Sequence, residues 1–140
     1  MFATLLAVLA IGGLSATDAQ DKFIVVDLKD QTMTCFEGLE AVMQFSVSTA
    51  RPGKKTPTGT FFIHDKRTRG KALPKYGGGT LYYPQRLVGH ILIHGYHSVP
   101  AYPASNGCIR MHIADAKKLY TWTDPGTRVQ IEKDVLDCLL

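Results

Sequence analysis

The apolar segments of this chain are short, and glycine, proline and other turn-forming residues separate them. A run of roughly four to eight apolar or alternating residues between turns is typical of a β-strand, whereas a helix needs a longer periodic segment. The chain therefore favours a mainly β fold. The predicted strands are Phe23–Leu28, Thr32–Phe36, Ala41–Ser48, Thr60–His64, Leu81–Tyr83, Gly89–His94 and Thr127–Glu132.

One segment has the spacing of an amphipathic helix. Apolar residues recur at every third or fourth position of Ile113–Trp122, and Pro125 and Gly126 follow as a stop signal. Many short strands with one helix predict a β-sandwich or barrel. The polar, glycine-rich stretch Lys66–Gly79 is a long excursion from this framework, and such loops are usually functional or mobile.

Length and composition fit one globular domain. The chain has 140 residues, of which 45% are hydrophobic and 20% charged. That mixture argues against disorder. The net charge of +4 indicates a mildly basic, solvated surface. No run of Lys and Arg and no motif indicates binding to nucleic acid.

The N-terminus predicts export. Phe2–Leu14 is almost wholly apolar, and small residues follow it up to Ala19. The segment is shorter than the roughly 20 residues needed to span a bilayer, but it resembles the apolar part of a secretory signal. We therefore expect residues 1–19 to be a signal peptide, although no Lys or Arg precedes the apolar run. The mature protein would lie in the periplasm or cell wall, with no stable membrane span.

The chain has three cysteines, so at least one is unpaired. Cys35 and Cys138 could form a disulfide in an oxidising compartment if the C-terminal tail folds back onto the second predicted strand. Cys108 lies between turns, directly after Gly107 and near several histidines. It is the thiol whose presence calls for a chemical explanation.

A candidate base lies on the strand before Cys108. Alternation places His90 and His94 on one face of that strand. We interpret His90 as a packing residue, and His94 as the functional one because Gly95 leaves open space beside its imidazole. A free thiol is mostly protonated at neutral pH, and an imidazole can activate it by taking the proton to form an ion pair. Nearby backbone N–H groups could then stabilise an oxyanion.

Several motifs together resemble the catalytic signature of the L,D-transpeptidases, the YkuD-like family. The two central ones are Ile93–Gly95 and Ser105–Met111. Val47–Thr49, Lys55–Phe61 and Gly126–Ile131 match the family in order and spacing. The resemblance covers residues 22–133, the expected catalytic domain, and leaves 134–140 as a C-terminal tail.

The resemblance implies a mainly β, β-sandwich-like L,D-transpeptidase catalytic fold with one helix. It also implies that Cys108 attacks the L-centre carbonyl of a diaminoacid–D-Ala bond in a peptidoglycan stem peptide. D-Ala leaves, and an amine of another stem resolves the thioester. His94 is the base, and the carbonyl of Gly95 holds its imidazole in the right tautomer. The implied substrate-binding residues are Ser105, Asn106, Gly107 and Arg110.

The family pattern implies no metal and no organic cofactor. The chain departs from it at Asn106, where many members carry a histidine, so His94 is the base that the pattern provides.

Three alternatives to this function remain open. Water could be the acceptor, which would make an L,D-carboxypeptidase or peptidoglycan hydrolase. The chain could instead be an inactive wall-binding domain, or a zinc-binding module using His90, His94, His97, His112 and Cys108. The oligomeric state is open.

Overall fold

The computed structural model of the chain describes residues 21–136. Within them, nine β-strands and one complete α-helix follow one another along the chain. The strands are β1 Lys22–Asp27, β2 Thr32–Glu37, β3 Glu40–Ser48, β4 Gly59–Phe62, β5 Arg69–Lys71, β6 Thr80–Val88, β7 Ile91–Gly95, β8 Ile109–Met111 and β9 Arg128–Glu132, and the helix is α1 Ile113–Trp122.

The strands form one sheet in the order β4-β9-β1-β2-β3-β8-β7-β6-β5. Strand β3 joins its two parts, because residues up to Ser46 pair with β2 whereas Val47 and Ser48 pair with β8. We call β4, β9, β1, β2 and the start of β3 the first arm, and β8, β7, β6 and β5 the second arm. Two pairs are parallel, β1 with β9 and β7 with β8.

The two arms share one core. In the first arm Ile24 pairs with Cys35, and Val26 pairs with Met33. These side chains are fully buried, as alternation along the strands requires. One continuous cluster joins them to Ile93, Ile109 and Met111 of the second arm. The sheet therefore curls back on itself, which confirms the predicted mainly β, sandwich-like fold.

Helix α1 has the predicted bounds and packs on β6 and β7. Ala116 and Leu119 are its buried residues, and both belong to the common core. The helix begins two residues after β8 and lies against the end of β7. It thus forms the inner support for the strand that carries His94.

The second arm differs from the prediction in several places. Strands β5 and β8 were not predicted, and β6 runs on to Val88. Tyr83 has a φ of 51° and Pro84 follows it, so the pairing of β6 with β7 shifts register there. A three-residue β8 carries too little pattern to be recognised, and a proline inside a strand argues against one. The long segment 66–79 contains β5 and a 3₁₀ turn, Pro74–Tyr76.

Part of the prediction lies outside the described residues. This holds for the signal peptide expected at residues 1–19, for Cys138 and for the end of the expected tail. Cys35 is buried and has no disulfide partner among residues 21–136, and its pairing with Cys138 stays a prediction. Between residues 21 and 136, no helix is long and apolar enough to cross a bilayer.

Candidate active site

Cys108 stands at the entrance to β8, immediately after a backbone turn that only glycine accepts readily. Gly107 has a φ of 141°. A Cβ atom there would lie 3.0 Å from both Ile91 Cδ1 and the backbone oxygen of Lys55. The absence of a side chain at Gly107 therefore lets the chain pass between β7 and the loop before β4, and this turns Cys108 towards β7.

The sulfur of Cys108 is held by the backbone of β7 and of the turn before it. The Leu92 N–H donates a hydrogen bond to Sγ at 3.4 Å, and the thiol donates to the carbonyl oxygen of His90 at 3.3 Å. The parallel register pairs Ile93 with Ile109, so Cys108 lies beside Leu92. The side chain points to the face of the sheet opposite the core.

His94 lies on β7 with its side chain on that same face. It pairs in register with Arg110 and is only 4% exposed. Its Nδ1 atom lies 3.0 Å from the carbonyl oxygen of Gly95. Donation of a proton from Nδ1 to that carbonyl leaves Nε2 as the nitrogen that can accept a proton. The Gly95 carbonyl therefore provides the backbone acceptor for the tautomer that the family resemblance implies, with the proton on Nδ1.

Position 95 requires a glycine, but for a structural reason that differs from the one expected from the sequence. A Cβ atom there would lie 3.0 Å from Ala116 Cβ, 3.1 Å from Ile113 Cα and 3.2 Å from Tyr82 Cβ. The space beside Gly95 is filled by helix α1 and β6, so the glycine does not leave room beside the imidazole. The expectation of open space was wrong, because strand alternation turns position 95 to the core side.

Ser105 braces the turn that carries the nucleophile candidate. Its hydroxyl donates to the backbone oxygen of Cys108 at 2.6 Å and accepts from the N–H of Gly107 at 3.0 Å. The residue is 1% exposed. It was expected as a hydroxyl lining the site, and the structure shows it at the cavity wall with hydrogen bonds to both Gly107 and Cys108.

A cavity of about 280 Å³ opens in front of Cys108 and His94. Its walls come from β7, from the turn before Cys108 and from the segment around β5. All the expected site residues except Gly95 and Gly107 line it. The lining residues are Lys71, Ala72, Leu73, Tyr76, Leu81, Arg86, Gly89, His90, Ile91, Leu92, His94, Tyr96, Ser105, Asn106, Cys108 and Arg110.

Comparison with known proteins decides the family. The profile of the YkuD L,D-transpeptidase catalytic domain matches residues 21–131. This chain belongs to the L,D-transpeptidase family. Among curated relatives, YkuD of Bacillus licheniformis, described as an L,D-transpeptidase, is 29% identical over 124 residues, which are 86% of this chain and 72% of that protein.

Two solved structures support the assignment. An L,D-transpeptidase from Stackebrandtia nassauensis is 26% identical with a TM-score of 0.75, and the match covers 82% of this chain and 57% of that one. One from Xylanimonas cellulosilytica is 27% identical with a TM-score of 0.72, and covers 81% and 61%. The L,D-transpeptidase domain described here thus spans less than two thirds of these solved chains.

Burial governs the charge of both reactive groups in this L,D-transpeptidase domain. Burial raises the pKa of the Cys108 thiol, against the smaller lowering effects of the Leu92 N–H and the Arg110 charge. Burial lowers the pKa of His94 to about 4; the Gly95 carbonyl opposes this shift and Arg110 adds to it. The two groups are therefore a neutral thiol and a neutral imidazole, and not the ion pair expected from the sequence.

Arg110 contributes a fixed positive charge next to His94. Its Cζ lies 4.6 Å from the centroid of the Tyr96 ring, and its NH1 donates to the backbone oxygen of Ser98 at 3.4 Å. The ring of Tyr96 in turn meets the His94 imidazole edge-on at 5.7 Å. The aromatic ring thus holds the guanidinium at the mouth of the cavity, where it can meet an anionic group.

The turn before Cys108 is held by a second set of hydrogen bonds, which the sequence did not indicate. The hydroxyl of Thr56 donates to the backbone oxygen of Gly107 at 2.8 Å and accepts from the N–H of Ala50 at 3.1 Å. Asn106 accepts a hydrogen bond from Arg51 of the same loop. The loop that carries Thr56 is part of the quoted family motif, but its contact with Gly107 becomes visible only after folding.

A third set of hydrogen bonds connects the β1–β2 turn with Ser105, and the sequence did not indicate it either. The side-chain amide of Gln31 donates to Thr49 Oγ1 at 2.7 Å and accepts from the Thr49 N–H at 2.9 Å. The carbonyl of Thr49 then accepts the N–H groups of Ala104 and Ser105 at 2.9 and 2.8 Å. Gln31 has a φ of 55°, which non-glycine residues rarely adopt. Local pattern gives no signal for such a contact.

The position of His90 and the start of β7 differ from the prediction. His90 is exposed in the turn between β6 and β7, so its interpretation as a packing residue was wrong. The predicted strand began too early, because Gly89 has a φ of 52° and turns the chain there.

Within residues 21–136, no group of three or more His, Cys, Asp or Glu side chains is placed to hold a metal ion, so the zinc alternative has no ligand set there.

Proposed function

We propose that this domain is a cysteine L,D-transpeptidase that acts on peptidoglycan stem peptides in the periplasm or cell wall of its host. The observation that carries the proposal is the shared cavity of Cys108 and His94, in which the Gly95 carbonyl fixes the imidazole tautomer. Family membership supports the reaction class, and the bracing of the turn by Ser105 supports the choice of nucleophile.

In the proposed acylation, Cys108 Sγ attacks the carbonyl carbon at the L-centre of a diaminoacid–D-Ala bond. The thiol proton moves to Nε2 of His94 as the carbon–sulfur bond forms. The imidazolium then gives that proton to the departing amine of D-Ala as the carbon–nitrogen bond breaks. The acyl group remains as a thioester on Cys108.

The neutral starting state suits this sequence of events. A buried imidazole with a pKa of about 4 is unprotonated at neutral pH. Because it is a weak base and burial raises the pKa of the thiol, it accepts the proton only as the carbon–sulfur bond forms. The Leu92 N–H, which already points at the sulfur, stabilises the negative charge that develops as the proton leaves. Arg110 meets the carboxylate of the leaving D-Ala.

Deacylation regenerates the free enzyme. The amine of a second stem attacks the thioester carbon, His94 accepts its proton, and the thiol leaves with that proton. Transfer to the amine joins two stems, whereas attack by water would only shorten one. The products therefore distinguish the two acceptors, and we propose that the acceptor is the amine.

The experiment is incubation of the purified protein with a defined disaccharide-tetrapeptide, followed by mass spectrometry. We expect a crosslinked dimer and free D-Ala. Cys108→Ala should form neither product, and Cys35→Ala is the matched control that should form both. Release of D-Ala without any dimer would replace the transferase by an L,D-carboxypeptidase. Product formation by Cys108→Ala would contradict the proposed nucleophile.

A carbapenem-type β-lactam offers a second measurement. Its strained amide carbonyl is an electrophile like the scissile carbonyl, and its carboxylate resembles a peptide terminus. We expect intact-mass spectrometry to show one covalent adduct on the wild type and none on Cys108→Ala. An adduct of equal yield on both proteins would contradict acylation at Cys108.

A further inference from the structure

Charge is distributed very unevenly along this chain. Residues 41–114 contain ten of the 16 Lys and Arg residues and all five histidines, but only one of the 12 Asp and Glu residues. That segment includes the whole second arm and every residue that lines the cavity. The segment that forms the cleft is therefore strongly basic although the chain as a whole carries only +4.

The cavity lining repeats this pattern. Lys71, Arg86 and Arg110 line it, and among the described residues that do so there is no Asp or Glu. Arg110 stands next to His94, whereas Lys71 and Arg86 come from β5 and β6. A second depression of about 210 Å³ adjoins the first, and its wall contains Lys71 and Arg86 again, together with Arg67 and one carboxylate, Asp65. These two cations thus mark one end of the cleft, separate from Arg110.

Strand register fixes how far that end lies from the reactive sulfur. Arg86 pairs with Leu92 across β6 and β7, and the Leu92 N–H contacts Cys108 Sγ. Residues directly opposite each other share a face of the sheet. Arg86, Leu92 and Cys108 therefore form one row on the cleft face. With neighbouring strands about 4.8 Å apart, Arg86 lies roughly 10 Å from Cys108, backbone to backbone.

Asp65 orients the guanidinium of Arg86. Its carboxylate accepts a hydrogen bond from Arg86 Nε at 2.8 Å, and its backbone oxygen accepts the Arg86 N–H at 2.9 Å. This hydrogen bond, followed by the charge of Arg86, lowers the pKa of Asp65. A guanidinium has five N–H donors, so it can bind a second carboxylate while Nε is engaged.

We propose that Lys71 and Arg86 form a carboxylate subsite that selects donor stems with a second free carboxylate, besides the one at the C-terminus of the stem. The subsite rests on the proposed function, in which Arg110 meets the leaving D-Ala. Lys71 and Arg86 then face the acyl part of the donor. Conversion of that carboxylate to a carboxamide removes the charge, so amidated stems are poorer donors.

The test compares two synthetic tetrapeptide donors that differ only in this group, free carboxylate against carboxamide. The measured quantity is the ratio of their kcat/KM values for D-Ala release. Charge-assisted hydrogen bonds discriminate by about ten-fold or more, and we expect a wild-type ratio of at least about ten. Arg86→Gln and Lys71→Gln should each lower the ratio, and the double variant should bring it close to one.

Lys117→Gln is the matched control, since Lys117 is an exposed cation of α1 that lines neither depression. Its ratio should equal that of the wild type. Lys71 is exposed as well, so Lys71→Gln tests the subsite even if Arg86→Gln folds poorly. A wild-type ratio near one, with both donors consumed, would overturn the subsite and leave the proposed function standing. Consumption of neither donor would overturn the proposed function.

Discussion

The first and second arms of the sheet each carry one described cysteine, in opposite settings. Cys35 in the first arm is fully buried among core residues, and burial raises its pKa to about 12. Cys108 in the second arm lines an open cavity and receives a hydrogen bond from the Leu92 N–H. The same side chain therefore fills the core in one arm and is open to a ligand in the other.

The arms also differ in regularity. The first arm pairs β1 with β2 and with β9 without interruption, and its register shifts once, at Cys35 and Phe36. The second arm contains two register shifts between β6 and β7, a positive φ at Tyr83 and the Gly107 turn. Local rules of strand formation are broken where the cavity is built, which is the expected behaviour of a functional region.

Alkylation of the thiols should give the largest contrast between the arms. A pKa of about 12 leaves roughly one Cys35 thiol in 10⁵ ionised at pH 7, and the core excludes the reagent. We expect iodoacetamide to modify Cys108 in the native protein and to leave Cys35 unmodified until denaturant is added. Peptide mapping by mass spectrometry separates the two sites. Equal modification in the native state would remove the distinction between the arms.

Substitution of His94, the proposed base, should have the next largest effect. His94→Ala should slow acylation of Cys108 at pH 7 by about 10² to 10⁴-fold, the usual contribution of a general base. Higher pH should partly restore the rate as the thiol ionises unaided. His90→Ala is the control, because His90 is exposed and offers the sulfur only its backbone oxygen. A slower rate for His90→Ala than for His94→Ala would reassign the base.

Protonation of His94 at acidic pH should lower the free energy of unfolding of the domain. Its pKa is about 4 in the folded domain against an ordinary 6.5. Between these values the unfolded chain binds a proton that the native state does not, so stability falls as pH falls from about 6.5 to 4. The effect is up to about 3 kcal/mol.

Denaturant unfolding at pH 7.5 and at pH 4.5 measures this effect. His94→Gln should lose the corresponding part of the pH dependence, whereas His90→Gln should retain it. If His94→Gln and the wild type lost the same free energy of unfolding on acidification, the buried neutral imidazole would not be its source.

A smaller effect is expected at the seam between β7 and α1. Gly95→Ala places a methyl group 3.0 Å from Ala116 Cβ and 3.1 Å from Ile113 Cα, and the backbone must shift to admit it. Overpacking of this kind destabilises by about 1–3 kcal/mol. Gly70→Ala on β5 is the control, since its new methyl would meet only Pro84 Cγ at 3.4 Å. Comparable unfolding free energies for the two variants would show that the seam is not tight.

Much of the first arm could be predicted from local pattern. The strands around Ile24 and Met33 alternate between core and surface, and helix α1 has its apolar spacing and its stop signal in the sequence itself. These features depend on neighbours a few residues away, so the sequence records them directly. The second arm was predicted less well, because a short β8 and a strand that contains Pro84 contradict local rules.

The candidate site divides in the same way. The sequence by itself determined which residues carry the proposed chemistry, Cys108 and His94, because their residue types and their spacing form the motif. Only the tertiary structure decided that burial keeps both neutral and that the space beside Gly95 belongs to a helix. It alone placed Arg86 in one row with Cys108. Desolvation and strand register arise from contacts between distant segments, and no local pattern of residues encodes them.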